Sequence, residues 1–301
     1  MSRPILLLTG RNGQLGTVFS KQWETSLLSG RYELVQVGRD DLDISDSYQV
    51  KKYLSDLSPT CILNAAAYTR VDEAESNRES AYSVNERAVG LLAEWCDDNS
   101  CRLVHISTDF VFNGEATSPY AVDSKTDPIS VYGASKRAGE LLVASRLPSS
   151  GIIVRTSWLY SEHGQNFVKT MLRLMSEGRD VRVVSDQVGS PTSAHTLSNF
   201  IARLIAKEKA AGVYHFTDGG ELSWYEFAVA IREIGIELDL ISGQATVTPV
   251  PTADYPTAAR RPAYSVLELS PPESPDLGDI PGWWAELRSV LECIKAGPSG
   301  R

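Results

Sequence analysis

Short apolar runs alternate with helix-patterned stretches from the first residues onward, and this constrains the fold more than any other feature of the chain. "PILLLTG" (4–10) is followed by helical spacing over 13–28, "YELVQVG" (32–38) by a helix over 45–57, and "CILNAAA" (61–67) by a helix over 79–96. "RLVHIST" (102–108), the helix "ISVYGASKRAGELL" (129–142) and "GIIVRTS" (151–157) complete the series. Five apolar runs separated by helices predict right-handed crossovers and a parallel sheet covered on both faces. The fold class expected is therefore α/β, a Rossmann-type doubly wound parallel sheet. Asp127 and Pro128 read as the N-cap and first position of the 129–142 helix.

After Trp158 the alternation loosens. Helices are expected over 166–178, 192–208 and 223–235, strands over 181–186 and 212–217, then a Pro- and Ala-rich loop over 248–265 and a last helix. This divides the chain into residues 1–160, a dinucleotide-binding domain, and 161–301, a smaller C-terminal substrate-binding region interleaved with it.

Composition narrows the partners. A net charge of -9 argues against nucleic acid or an anionic membrane surface, both of which recruit clustered lysine and arginine. The first apolar run is far too short to span a bilayer or form a signal-peptide core. The four cysteines form no CxxC pair and have no histidine at zinc-like spacing. Reduced thiols and a cytoplasmic location are expected.

"TGRNGQLG" (9–16) sits where the first strand turns into the first helix. Gly10, Gly13 and Gly16 there allow a tight turn and close approach of a pyrophosphate, which the helix N-terminus receives through free N–H groups. A close-packed turn with no ligand is the plainer reading. The second strand ends in "VGRDDLDIS", with Arg39 directly after Gly38. A cation there favours NADPH over NADH, which remains possible because a one-residue shift would put Asp40 in its place. A solvated Arg39 is the alternative. The small residues Ala65 and Ala66 at the third strand's end suit either a cofactor or a helix–sheet contact. Ser107, Thr108 and Asp109 fall at the carboxyl end of the fourth strand, where open α/β sheets bind ligands.

Tyr132 and Lys136 lie four apart on a helix and so share a face. A free phenol has a pKa of about 10. A neighbouring ammonium and a cofactor's positive ring would lower it, making Tyr132 a general acid for a carbonyl under reduction. The pair alone is commonplace; with the glycine-rich turn and the strand-end hydroxyls it describes one site.

Together TGxxGxxG, a Ser/Thr after the fourth strand and YxxxK resemble the extended short-chain dehydrogenase/reductase superfamily. "NAAAYTRVDEAE", "STDFVF", "VYGASKRAGE", "RTSWLY", "NFVKTMLRL", "DQVGSPTSA" and "RRPAYS" further resemble, in order, the motifs of the dTDP-4-dehydrorhamnose reductase family. The resemblance implies hydride transfer from NADPH to the 4-keto carbon of a dTDP-linked deoxyhexulose. It implies Tyr132 as proton donor, Lys136 as the residue that tunes it and holds the nicotinamide ribose, and Thr108 bonded to the reacting oxygen. Gly10, Gly13, Gln14, Leu15 and Gly16 would line the pyrophosphate, Arg39 the adenosine phosphate, Asp43 and Ile44 the adenine, and Ala65, Ala66 and Tyr68 the cofactor's middle. Thr108, Asp109, Phe110, Tyr132, Trp158 and Arg261 would contact the dTDP-sugar substrate. Without the family, Trp158 would read as a core aromatic and Arg261 as half of a surface ion pair.

Some family members bind magnesium through acidic side chains, at places where this chain has Val18 and His195. No magnesium site is therefore expected, and a monomer or weak homodimer. Phe110 stands where a tyrosine is common and Tyr264 where asparagine is. A dehydratase would follow Thr108 with Asp-Glu, whereas here Asp109 and Phe110 follow. Two further alternatives are another sugar-nucleotide keto-reductase and a non-catalytic NADP-binding subunit like the β subunit of methionine adenosyltransferase.

Overall fold

The computed structural model describes residues 3–208, 210–269 and 280–297. In chain order the elements are β1 (Ile5–Thr9), α1 (Gln14–Lys21), β2 (Glu33–Val37), α2 (Ser47–Leu57), β3 (Cys61–Asn64), α3 (Val71–Ser76), α4 (Arg78–Tyr82), α5 (Ala88–Asp98), β4 (Arg102–Thr108), α6 (Val131–Arg146) and β5 (Gly151–Thr156). Then come β6 (Leu159–Tyr160), α7 (Phe167–Ser176), β7 (Val181–Val184), β8 (Val188–Gly189), β9 (Thr192–Ser193), α8 (Ala194–Ala206), β10 (Gly212–His215), β11 (Leu222–Ser223), α9 (Trp224–Glu237), β12 (Val247–Val250) and α10 (Trp283–Ala296).

Six strands form one parallel sheet in the order β10-β5-β4-β3-β1-β2. Its α/β, doubly wound character is the one expected. Apolar cores lie on both faces: α1 and α8 cover one with Leu15, Phe19, Leu197 and Ile201, while α2, α5 and α6 cover the other with Val50, Leu54, Leu92 and Val143. The strand order reverses between β1 and β3, and the crevice at their carboxyl ends is where such sheets take ligands.

The chain returns to this sheet after residue 160, because α8 packs on α1 and β10 extends the sheet beyond β5. A third core gathers α7, α9, α10 and β7 around Tyr160, Met175, Phe227 and Leu291.

Three local expectations are corrected. Helix α6 begins at Val131, capped by Ser130, whose Oγ accepts from the Gly133 N–H at 3.1 Å; the Asp127 N–H is already committed to the Val111 carbonyl. The expected 248–265 loop contains most of β12, paired in parallel with β7; Pro249 is tolerated because this two-stranded ribbon has free edges. The first helix stops at Lys21 and a 3-10 turn over Trp23–Thr25 follows.

Candidate active site

The glycines after β1 are positioned by close contact. Gly10 has φ +75, and a Cβ on it would stand 2.7 Å from the Ala66 nitrogen; a Cβ on Gly16 would stand 2.2 Å from the Gly10 carbonyl oxygen. The β1–α1 turn thus lies directly against Ala65 and Ala66 at the end of β3, with room for backbone only. Gly13 is the N-cap of α1 and offers no side-chain acceptor. The helix's first N–H groups are left for an external anion. Leu15 is buried beneath the turn, in the core under α1. Gln14 does something the sequence did not indicate: its amide donates to the Leu159 carbonyl and accepts from Asn166 and Ser161, tying α1 to the segment that leads into α7.

At the end of β2 Arg39 is 87% exposed, with Asp43 as a loose partner at 3.9 Å. Arg11, from the glycine-rich turn, pairs with Asp41 at 3.2 Å on the same rim. Asp43 is held below the usual carboxylate range by hydrogen bonds from the Ser45 hydroxyl and N–H. Ile44 is buried in the core beneath it. The backbone of Tyr68 is clamped by Asn85, which bonds both its N–H and its carbonyl and also reaches the Ser135 hydroxyl. Asn85 lies in a π-helical turn over Ser83–Arg87, a feature that often marks functional helices and that has no signature among these residues.

Thr108 ends β4, and Asp109 opens the 3-10 turn that follows it (Asp109–Val111) and packs against α6. Thr108 donates to Asp109 at 2.9 Å and accepts from the Phe110 N–H. Tyr132 is pushed up to about 12 by burial, with a hydrogen bond to Thr108 pulling down and the Asp109 charge pushing up. Phe110 meets the Tyr132 ring edge-on at 5.6 Å. Burial raises Asp109 to about 6, offset in part by hydrogen bonds from Ser265 and Thr108.

Lys136 is almost wholly buried one turn along. Its ammonium donates to the Ile106 carbonyl at 2.5 Å and lies 3.3 Å from His105 Nε2. Burial lowers it to about 8, and Glu140, one further turn on, pulls upward. Ser107 points away from the crevice and donates to Glu140.

Between the sheet and the third core lies a cavity of about 310 Å³ whose walls include Phe110, Trp158, Phe167, Trp224, Arg182 and Arg261. Trp158 packs on the third core and also forms part of the wall of this cavity. Its φ of +47 is unusual for a bulky side chain and is the kind of local strain found at ligand sites. Trp224 stacks on it at 3.6 Å, and Gly189 leaves room for the indole, since a Cβ there would stand 2.7 Å from it. Arg261 borders the cavity too, but its guanidinium makes a two-pronged pair with Asp72 at 2.6 and 3.0 Å. Tyr264 donates to Glu221.

Val18 is fully buried in α1, and His195 lies between Gln22 and Glu162. Among the described residues no group of three or more His, Cys, Asp or Glu side chains is arranged to hold a metal ion. Nor is any helix among them long and apolar enough to cross a membrane.

Taken together, a half-buried phenol on the helix that faces Thr108, an ammonium on the same helix face and a glycine-lined helix N-terminus open to an anion can deliver one proton beside a bound dinucleotide. The family model described as "RmlD substrate binding domain" matches residues 4–295. A dTDP-4-dehydrorhamnose reductase of Aggregatibacter actinomycetemcomitans is 40% identical over 270 residues, 88% of this chain and 90% of that protein. A dTDP-4-keto-6-deoxy-D-glucose reductase of Streptomyces niveus is 39% identical over 97% of this chain and 98% of its own length. The crystal structure of a Bacillus anthracis dTDP-4-dehydrorhamnose reductase in complex with NADP superposes with a TM-score of 0.87 at 36% identity, covering 96% of this chain and 99% of that one.

Proposed function

The chain belongs to the RmlD family of dTDP-4-dehydrorhamnose reductases, and from that premise we propose how its own residues carry the reaction. The protein is an NADPH-dependent oxidoreductase that reduces the 4-keto group of dTDP-4-dehydro-L-rhamnose to give dTDP-L-rhamnose. The observation that carries this reading is the placement of Tyr132 and Lys136 one turn apart on α6, with Lys136 bonded to the Ile106 carbonyl just before Thr108 at the carboxyl edge of the sheet.

NADPH, when bound, supplies the hydride for the keto carbon. The chain's residues fit it: Gly10, Gly13 and Gly16 form a cradle that any Cβ at Gly10 or Gly16 would fill, and the uncapped start of α1 suits a pyrophosphate. Arg39, exposed and loosely paired, is positioned for the adenosine 2′-phosphate, and Arg11 stands on the same rim. Preference for NADPH over NADH follows from those two cations.

Tyr132 holds the proton. Burial keeps the phenol in its acid form across the neutral range. As hydride reaches the carbon, the developing alkoxide takes the phenolic proton, and the Lys136 charge stabilises the phenolate left behind. Asp109, Phe110, Trp158 and Arg261 are proposed to hold the dTDP-sugar, Trp158 through its exposed face and Arg261 after exchanging part of its pairing with Asp72. Residues 161–301 supply most of that wall, residues 1–160 the dinucleotide cradle.

The finer points are proposals of the same reading: turnover independent of magnesium, supported by Val18 and His195; a monomer or weak homodimer; a cytoplasmic protein without nucleic-acid or membrane partners. The test is NADPH absorbance on mixing with enzymatically made dTDP-4-dehydrorhamnose, with and without chelator. Rapid oxidation insensitive to chelator is expected. A protein that binds NADPH but oxidises none of it refutes the assignment, and chelator sensitivity refutes the missing metal.

A further inference from the structure

We propose that His105 is a positioning residue for Lys136: its imidazole holds the ammonium in a buried slot between β4 and α6 and keeps it charged, while Asn64 and Thr9 fix the imidazole's tautomer. The inference rests on the reading of Lys136 given above.

The geometry is a continuous chain through the centre of the sheet. Thr9 Oγ1 lies 2.7 Å from Asn64 Oδ1, Asn64 Nδ2 lies 3.1 Å from His105 Nδ1, and His105 Nε2 lies 3.3 Å from Lys136 Nζ. Thr9, Asn64 and His105 are fully buried, on the neighbouring strands β1, β3 and β4. None has a role in the reaction as described.

A polar row across a sheet centre is costly unless every member is satisfied. An ammonium has three donors and no acceptor. One hydrogen of Lys136 goes to the Ile106 carbonyl. A second requires a bare Nε2 on His105, so the imidazole must be neutral with its hydrogen on Nδ1. That hydrogen then needs the Asn64 oxygen, which turns the amide so that its NH2 faces Thr9. The amide as it stands in the structure, with Nδ2 towards His105 and Oδ1 towards Thr9, is the opposite orientation: it leaves Nδ1 as acceptor, puts the hydrogen on Nε2, and suits an uncharged Lys136. The Asn64 amide and the Lys136 charge therefore turn together, and the imidazole links them. The third Lys136 hydrogen stays available to the crevice.

The charged and titratable groups around Lys136 are few. Glu140 acts on it from its own helix, Tyr132 precedes it by one turn, and Asp109 acts on Tyr132 from the loop after β4; Asn64 and Thr9 are uncharged. Burial and the Lys136 charge both hold His105 well below its usual range, so it serves as an acceptor and not as a second cation.

The test is an NMR titration of Lys136 in protein labelled at lysine Cε, without cofactor, with the signal assigned by its loss in Lys136→Met. The wild-type ammonium should titrate near 8. His105→Phe should lower this by about one unit or more through lost hydrogen bonding, and His105→Gln, which restores an acceptor, should recover most of the shift. The alkaline limb of kcat should move with it. If His105→Phe does not fold, Asn64→Ala gives the same test by freeing the tautomer, with a smaller downward shift expected. An unchanged Lys136 titration in the folded variants overturns the proposal, whatever happens to stability. A shifted titration with an unmoved kcat profile upholds His105 and refutes the role given to Lys136.

Discussion

Glu140→Gln tests how much of the site's rigidity comes from one buried ion pair. Glu140 on α6 is wholly buried and accepts from Arg155 Nε and Nη2 at 2.8 Å each, from Arg137 at 2.9 Å and from Ser107 at 2.5 Å. Arg155, on β5, is 3% exposed; besides Glu140 it meets the Val122 carbonyl, His215 Nε2 and the face of the Phe112 ring, none of them an anion. Glutamine keeps the volume but turns an NH2 towards a guanidinium, leaving a buried cation without its counter-charge. Removing one partner of a buried pair costs about 3–5 kcal/mol, which agrees with losing two charge-assisted bonds at roughly 1.5–3 kcal/mol each. Urea unfolding followed by tryptophan fluorescence reads this as a lower midpoint. Burial alone would raise Glu140, but the Arg155 hydrogen bonds and charge, with Ser107, hold it below the ordinary carboxylate value of 4.5. A depressed folded pKa means that the stabilisation is complete above that value and is lost as pH falls through the folded one. The gap between wild type and variant should therefore be constant from neutral pH down to about pH 5 and narrow only at lower pH. A cost below about 1 kcal/mol, or a gap that closes above pH 5, would refute the reasoning.

Three further outcomes are expected. Tyr132→Phe should leave NADPH affinity within about twofold by fluorescence titration while lowering kcat by about two to four decades; near-normal turnover removes Tyr132 from its role. Gly16→Ala forces a methyl group onto the Gly10 carbonyl and should weaken NADPH at least about tenfold, since α1 must shift off the turn. Arg39→Ala should weaken NADPH more than NADH, and equal losses in a paired titration would show that Arg39 does not read the phosphate.

The large sheet was legible because its strands are buried on both faces and so read as unbroken apolar runs, such as Leu6–Leu8 and Ile62–Leu63. The two-residue strands β6, β8, β9 and β11 have no period to detect, and β12 was hidden by Pro249. Residues of the site that lie within one motif were readable: Gly10, Gly13 and Gly16, or Tyr132 and Lys136. Partners joined only by the fold were not. Asp72 and Arg261 are 189 residues apart, and Gln14 reaches Asn166 across 152. His105 did carry a signal, a polar side chain inside the buried run "RLVHIST", but its partner lies 31 residues on and is set by how α6 crosses β4.

Helix α6 carries Tyr132, Lys136 and Glu140 at successive four-residue steps, so one rigid body sets the proton donor, the cation and the ion-pair anchor. Two glycines in that helix look like a defect, each costing roughly 1 kcal/mol against alanine. Their surroundings explain them. A Cβ on Gly133 would stand 2.1 Å from the Phe110 carbonyl oxygen, and one on Gly139 would stand 2.2 Å from the Asn85 carbonyl oxygen. With side chains at either place α6 would be held away from the 3-10 turn after β4 or from the π-helical turn before α5. The Tyr132–Thr108 contact and the Lys136–His105 contact both depend on that close approach. The local instability of α6 is thus a condition of its placement, and the Glu140–Arg155 pair at its inner face offsets the cost by fastening the helix to β5.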